Sequence, residues 1–238
     1  MYVKLQEKIK IKFNNPKILD MVFTHKSFVN EVKVKMEDNE RLEFLGDAVL
    51  ELVVTEYLYT NYPNPEGELT NWRAALVRGK NLAKLAKDID LGKYLKLSKG
   101  EEKSGGREKG YILANTYEAL IGAIYLDHGF DTVKKFINTH VTTYLVDILR
   151  EKLHIDAKSY LQEKSQDKLN ATPDYKLMSE DGPAHERIFT MGVYINDSLM
   201  GKGQGSSKQK AEQNAAMAAL EKLGWEIREE AQNPKGKK

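Results

Sequence analysis

The stretch from Tyr111 to Leu126 constrains this chain more than any other. It reads Tyr-Ile-Leu-Ala-Asn-Thr-Tyr-Glu-Ala-Leu-Ile-Gly-Ala-Ile-Tyr-Leu and carries one charge, Glu118. A helix that is apolar nearly all round must run through the middle of a domain. An ionised Glu in such a helix is costly unless it is paired or bound to a metal. Asn115 lies three residues earlier and places an amide oxygen on the same face. Ala114, Ala119, Gly122 and Ala123 are small, so a second helix can approach closely.

The natural partner begins at Asn39-Glu40-Arg41-Leu42-Glu43-Phe44-Leu45-Gly46-Asp47 and runs to about Asn61, where Pro63-Asn64-Pro65-Glu66-Gly67 must break it. At about 100° per residue, Glu40, Glu43 and Asp47 fall within about 60° of one another. Leu42, Leu45, Ala48, Val49, Leu52 and Val53 form the core-facing stripe, and Phe44 and Leu50 flank the acids. Acids on a helix are ordinarily a solvated face. Glu118 changes that balance, because clustered, half-buried carboxylates call for a cation between them. The competing arrangement pairs Glu118 with a core Arg such as Arg41 or Arg73. Glu43 and Asp47 would compete for that Arg, which makes the metal reading the stronger. Glu43, Asp47, Glu118 and Asn115 offer oxygen alone, a donor set suited to Mg2+ or Mn2+ rather than zinc. An acidic Mg2+ site in a chain that also binds polyanions points to phosphodiester hydrolysis.

The flanking sequence completes an all-helical domain over residues 1–150. Asn14-Asn15-Pro16 starts a helix over Lys17 to Phe23, and His25 in Thr24-His25-Lys26-Ser27 reads as a packed or capping histidine. Residues 31–39 read as a loop. Thr70 to Lys87 reads as one amphipathic helix with Leu76, Leu82, Ala83, Leu85 and Ala86 packing inward. Leu91 to Leu97 is a short element, Gly100 to Gly106 a mobile connector beside the site, and Val133 to Leu149 the closing helix.

A short linker, 151–155, precedes a change of pattern. Over residues 156–225 the order is helix (Ser159 to Leu169), strand (Thr172 to Ser179), strand, strand (Ser198 to Gly203), helix (Ser206 to Leu223). In the middle strand Phe189, Met191, Val193 and Ile195 alternate up to a turn at Asn196-Asp197. This implies a small α+β unit, one antiparallel sheet with both helices on one face. In Gly201-Lys202-Gly203-Gln204-Gly205-Ser206-Ser207-Lys208-Gln209-Lys210 the spacing of a nucleotide phosphate loop is absent. Instead the serines cap a helix whose first turn carries Lys208 and Lys210, where the helix dipole disfavours cations. An anion docked on the free N–H groups would reverse that penalty, so phosphate contact is the physical reading. His185 sits on a loop able to reach a groove. Residues 226–238 form a charged tail.

Composition narrows the chemistry further. Lys plus Arg number 37 and Asp plus Glu 35, so a net charge of +2 does not announce a polyanion binder and local patches must make that case. The absence of Cys excludes disulfides and thiolate metal sites. The five His show no paired ligand spacing, and no nucleophile elbow is present. With no apolar signal core and no membrane-length stretch, a soluble cytoplasmic protein with no membrane partner is the expectation.

Together these residues resemble the bacterial ribonuclease III family over nearly the whole chain. Asn39 to Asp47 looks like the family signature, Thr24-His25-Lys26-Ser27, Ser104-Gly105-Gly106 and the Glu118 helix follow in the expected order, and Asp156 to Leu223 resembles a double-stranded-RNA-binding domain. The resemblance implies a multidomain homodimer, an all-α endonuclease domain followed by the α+β RNA-binding domain. It would cut each strand of duplex RNA with Mg2+, or Mn2+ in its place, leaving 5′-phosphates and short 3′ overhangs during rRNA and mRNA precursor processing. By position, Glu43, Asp47 and Glu118 match metal-binding and catalytic carboxylates, Glu40 and Glu66 auxiliary acids, and Phe44 the aromatic that enters the partner subunit. Gln162, Glu163 and Gln166 match residues that meet the minor groove, His185 the loop entering the next groove, and Ser207, Lys208 and Lys210 the phosphate-contacting turn. Asn115 stands where the family commonly has Asp, which removes one negative charge. The alternative is therefore a duplex-RNA-binding regulator with an impaired nuclease site. Gln209 stands where a second lysine is frequent.

Overall fold

The computed structural model describes residues 2–32, 36–150, 156–183 and 186–225. These fall into two compact units, one ending at residue 150 and the other beginning at 156. The proposed linker 151–155, the tail 226–238 and His185 lie outside the described residues.

The first unit is helical throughout. It comprises α1 (Val3–Ile9), α2 (Pro16–Val22), α3 (Lys26–Val32), α4 (Glu40–Asn61), α5 (Glu66–Val77), α6 (Gly79–Asp88), α7 (Lys99–Lys103), α8 (Gly110–His140) and α9 (Leu145–Arg150). The side chain of Asn15 caps α2 by accepting from the Lys17 N–H, and Pro16 follows at the first helical position. The apolar helix α8 lies at the centre, with Ile112, Leu113, Leu120, Ile121 and Ile124 all buried. Gly129, at φ 78° and ψ −178°, is non-helical and kinks it, so the apolar segment ends close to the expected Leu126 and a second helical segment follows to His140.

Helix α4 crosses α8 with their backbones in contact. A Cβ added to Gly46 would fall 1.8 Å from the Glu118 carbonyl oxygen, and one added to Gly122 would fall 2.3 Å from the Leu42 carbonyl oxygen. Only glycine fits on both sides of this crossing. Leu42, Gly46, Val49, Leu50, Val53, Val54 and Leu58 form the buried stripe of α4 at helical spacing. Leu52 and Ala48, expected in the core, lie outside it instead. Leu52 is 58% exposed and shares one face of α4 with Phe44 at 81% and Tyr59 at 77%. The predicted helix over 70–87 is likewise two helices, since Arg78 is extended at ψ 133° between α5 and α6. Gly100 to Gly106 is not an irregular connector. Ser98 caps α7 through the Glu101 N–H at 3.2 Å, and Gly106 is buried under Glu101 and Leu97.

The second unit orders α10 (Ala157–Leu169), β1 (Asp174–Asp181), β2 (Ile188–Ile195), β3 (Ser198–Gly205) and α11 (Lys208–Lys222). The strands form one antiparallel sheet in the order β1-β2-β3. Asn196 and Asp197, at φ 49° and 60°, make the tight turn from β2 to β3. Met191, Val193 and Ile195 are buried with Leu161 of α10 and with Ala211, Ala215 and Ala219 of α11, in one core. Gly201 and Gly203 of β3 face α11 directly. A Cβ at Gly203 would come within 2.1 Å of the Ala215 nitrogen.

Gly46→Ala is expected to destabilise the first unit by about 3 kcal/mol, the upper end for overpacking, because the methyl must displace backbone rather than a side chain. Chemical denaturation checks this. An exposed control, Gly67→Ala, meets nothing within 4 Å and should stay close to the parent.

Candidate functional site

The glycine crossing brings the acids together. Gly46 lies between Glu43 and Asp47 in α4 and touches the backbone of Glu118 in α8, so the three carboxylates stand around one helix contact. Asp47 is exposed, while Glu43, Asn115 and Glu118 are half-buried. Burial, followed by the charges of Asp47 and Glu43, pushes the Glu118 carboxyl up to about 7. Burial also raises Glu43. A hydrogen bond from the Asn115 side chain opposes that shift, and the charges of Glu40, Asp47 and Asp38 add to it. Glu118 makes no ion pair among the described residues. Arg73, one candidate partner, instead pairs with Glu51 at 3.0 Å and donates to Thr55 at 3.0 Å.

Glu118 senses the charges of Asp47 and Glu43, and Glu43 that of Asp47, but the side chains do not close around a point. Among the described residues no three His, Asp or Glu side chains form a ready-made cage for an ion. One reason is visible in the contacts, since the Asn115 amide engages the Glu43 carboxylate. Glu40 lies at the rim, exposed, with both oxygens taking hydrogen bonds from Lys26 Nζ at 2.9 and 3.1 Å. Asp38, which sequence reasoning passed over, accepts from the Glu40 N–H at 3.1 Å and adds charge to the cluster. Glu66 stands apart in the first turn of α5, exposed, accepting from Thr70 Oγ1 at 2.9 Å. The apolar face of Phe44, Leu52 and Tyr59 was also only partly anticipated, through Phe44 alone.

In the second unit Gln162, Glu163 and Gln166 are exposed along one face of α10, with Ser159. Gln166 Nε2 also donates to Asn170 Oδ1 at 2.8 Å. The Asp156 carboxylate caps α10 by accepting from the Ser159 N–H at 3.2 Å, and it accepts from Gln213 Nε2 at 2.8 Å. Because Gln213 belongs to α11, these bonds fix one helix against the other. At the start of α11 the Ser207 hydroxyl accepts from the Lys210 N–H at 3.2 Å. Lys208 and Lys210 are exposed in that first turn, and Lys208 Nζ lies 5.9 Å from the centre of the Phe189 ring. An exposed polar helix face and a basic, serine-capped helix start are thus mounted on one small rigid core.

Residues 15–145 match the family model described as Ribonuclease-III-like, and residues 157–223 match that of the double-stranded RNA binding motif. "Ribonuclease 3" of Enterococcus faecalis is 47% identical over 222 residues, covering 92% of this chain and 96% of that protein. "Ribonuclease 3" of Syntrophotalea carbinolica is 46% identical, covering 92% and 95%. Among solved structures, a nuclease domain of ribonuclease III from Campylobacter jejuni superposes with a TM-score of 0.56 at 42% identity, covering 60% of this chain and 97% of that one. Its description refers to structural flexibility in a region involved in dimer formation.

The raised Glu118 carboxyl has a measurable consequence. Below pH 4.5 both folded and unfolded chains hold its proton; between 4.5 and about 7 only the folded chain does. Stability contributed by this group therefore falls across that window and is level above it. Without divalent cation, the melting temperature of the parent relative to Glu118→Gln should drop by roughly 2–5 °C between pH 5 and 8. Parallel pH profiles for the two proteins would contradict the assignment.

Proposed function

The chain belongs to the ribonuclease III family and is an endoribonuclease for double-stranded RNA; we propose that it hydrolyses phosphodiesters with Mg2+ held by Glu43, Asp47, Asn115 and Glu118. The observation that carries this reading is Glu118, half-buried beside two other carboxylates and without a counter-ion among the described residues. The donors fit a hard divalent cation, since all are oxygen and three are carboxylates. Mn2+ fits the same set. When bound, Mg2+ supplies a water of lowered pKa and neutralises phosphate oxygens.

The chain's own residues do the rest. Asp47 and Glu118 are the carboxylates assigned to catalysis, one from each of the crossing helices. The Asn115 amide orients Glu43 and leaves a neutral carbonyl oxygen where an Asp would add charge. That substitution lowers the pull on the cation but leaves three carboxylates, which favours a working nuclease over a silent, RNA-binding regulator. Glu40 and Glu66 serve as supporting acids beside the RNA, Glu40 being steadied by Lys26. Phe44, with Leu52 and Tyr59, offers the apolar face on which a second copy docks. Two copies would place one site on each strand and release 5′-phosphate ends with short 3′ overhangs. In the second unit Gln162, Glu163 and Gln166 meet the minor groove and its 2′-hydroxyls, while Ser207, Lys208 and Lys210 hold phosphates. His185 is assigned to the next groove by position in the sequence alone. Among the described residues no helix is long and apolar enough to cross a membrane. The setting proposed is processing of rRNA and mRNA precursors in the cytoplasm.

A labelled duplex incubated with Mg2+, with and without chelator, tests the reading directly. Cutting should require the metal, and Glu118→Gln should abolish it while RNA affinity stays within about twofold. Loss of binding in that variant would mean that Glu118 is structural. Lys208→Ala should weaken binding to every duplex alike and reduce the salt slope by about one. An unchanged slope would remove the phosphate role.

A further inference from the structure

The Thr24-His25-Lys26-Ser27 segment is anchored at the start of the acid-bearing helix. The Asn39 N–H donates to the Thr24 carbonyl at 2.9 Å, the Asn39 side chain donates to the Val22 carbonyl at 3.0 Å, and Lys26 reaches Glu40. His25 heads α3, its carbonyl accepting from the Phe28 N–H at 2.9 Å. Its Nδ1 accepts the backbone N–H of Ser27 at 3.2 Å and lies 2.8 Å from Ser27 Oγ. Ser27 Oγ itself accepts from the Ser98 N–H at 3.1 Å, so the hydroxyl proton points to Nδ1. With Nδ1 an acceptor twice over, the neutral ring carries its proton on Nε2.

The helix start needs only an acceptor here, and Asn would supply one with the same reach. Histidine supplies the acceptor and, on its far side, a rigid N–H donor. Nε2 has no partner among the described residues and is not enclosed. The neighbouring acid Glu101 is occupied by Lys109 Nζ at 2.6 Å, the hydrogen bond that chiefly lowers its carboxyl. Lys109 also donates to Ser104 Oγ at 2.8 Å, so Ser104-Gly105-Gly106 is held beside the same segment. The donor is therefore fixed in direction, without a partner among the described residues, and attached to the rim of the acid cluster through Asn39 and Lys26.

We propose that His25 is an RNA-contacting residue of the nuclease unit, its Nε2–H donating to a backbone oxygen of the duplex at the edge of the acidic site. This rests on the ribonuclease reading and names a substrate contact within it. The acceptor is a phosphate or a 2′-hydroxyl oxygen, both of which present the same chemistry to an N–H donor.

Two substitutions separate this role from capping. His25→Asn keeps an acceptor for the Ser27 N–H and removes the distal donor. His25→Gln restores an N–H near the Nε2 position and forfeits the cap. The parent protein must first cut a labelled duplex with Mg2+, and failure there strikes at the nuclease reading rather than at His25. Given a cutting parent, His25→Asn should keep the melting temperature and lose about tenfold in kcat/KM, mostly through KM. His25→Gln should recover most of that loss despite a lower melting temperature. A His25→Asn variant as active as the parent overturns the proposal. So does a pattern in which activity follows melting temperature through both variants, since that is the mark of a cap alone. A duplex with 2′-deoxy substitutions around the cut identifies the acceptor. If the gap between parent and His25→Asn closes on it, the oxygen is a 2′-hydroxyl; if the gap persists, it is a phosphate.

Discussion

The approach of α4 to α8 at Gly46 and Gly122 is the contact on which the nuclease unit depends. Two backbones meet where any Cβ would collide with a carbonyl oxygen. That closeness places Glu43 and Asp47 on one side of the crossing and Asn115 and Glu118 on the other. Like charges so placed repel, and burial adds to the cost, as the elevated Glu118 carboxyl records. The surrounding packing holds them there. Leu50, Val53 and Val54 on one helix and Leu120, Ile121 and Ile124 on the other are all fully buried, each contributing about 1.5–3 kcal/mol. A stable apolar frame thus holds an electrostatically unfavourable cluster of carboxylates in place.

The RNA-binding unit uses the same device on a different scaffold. Gly201 and Gly203 present bare backbone to Ala211, Ala215 and Ala219, so α11 lies flush on β3. The helix start, with the Ser207 cap and its two lysines, is thereby fixed relative to the sheet. Asp156 and Gln213 then fix α10 to α11, and the exposed Gln162, Glu163 and Gln166 face follows. The α11 start thus takes its direction from places where side chains are missing, and the α10 face from the side-chain bonds that tie it to α11.

How much of this was legible in the sequence depended on contrast. Glu118 stood out because everything around it in α8 is apolar, and its pairing with the Glu40 helix followed from the small residues beside it. The glycines of β3 read as a strand end; their role against α11 is tertiary and leaves no periodic signal of its own. Helix α4 is apolar on more than one side, so periodicity alone merged Leu52 with the core, although it belongs to the exposed face of Phe44 and Tyr59. The break at Arg78 follows no proline, and the helix at α7 is fixed by Ser98 and by Gly106 tucked beneath Glu101. His25 read as a capping residue, and it caps; its second nitrogen acquires meaning only once Ser27 and Ser98 show which one holds the proton.

The central claim is that the Gly46–Gly122 crossing builds one divalent-cation site from Glu43, Asp47, Asn115 and Glu118. Anomalous diffraction from crystals soaked in Mn2+ tests it without reference to turnover. A peak bounded by those four side chains, absent from Glu118→Gln crystals, is the expected result. Ordered density for the four side chains with no peak among them, or a peak held by other residues, would contradict it.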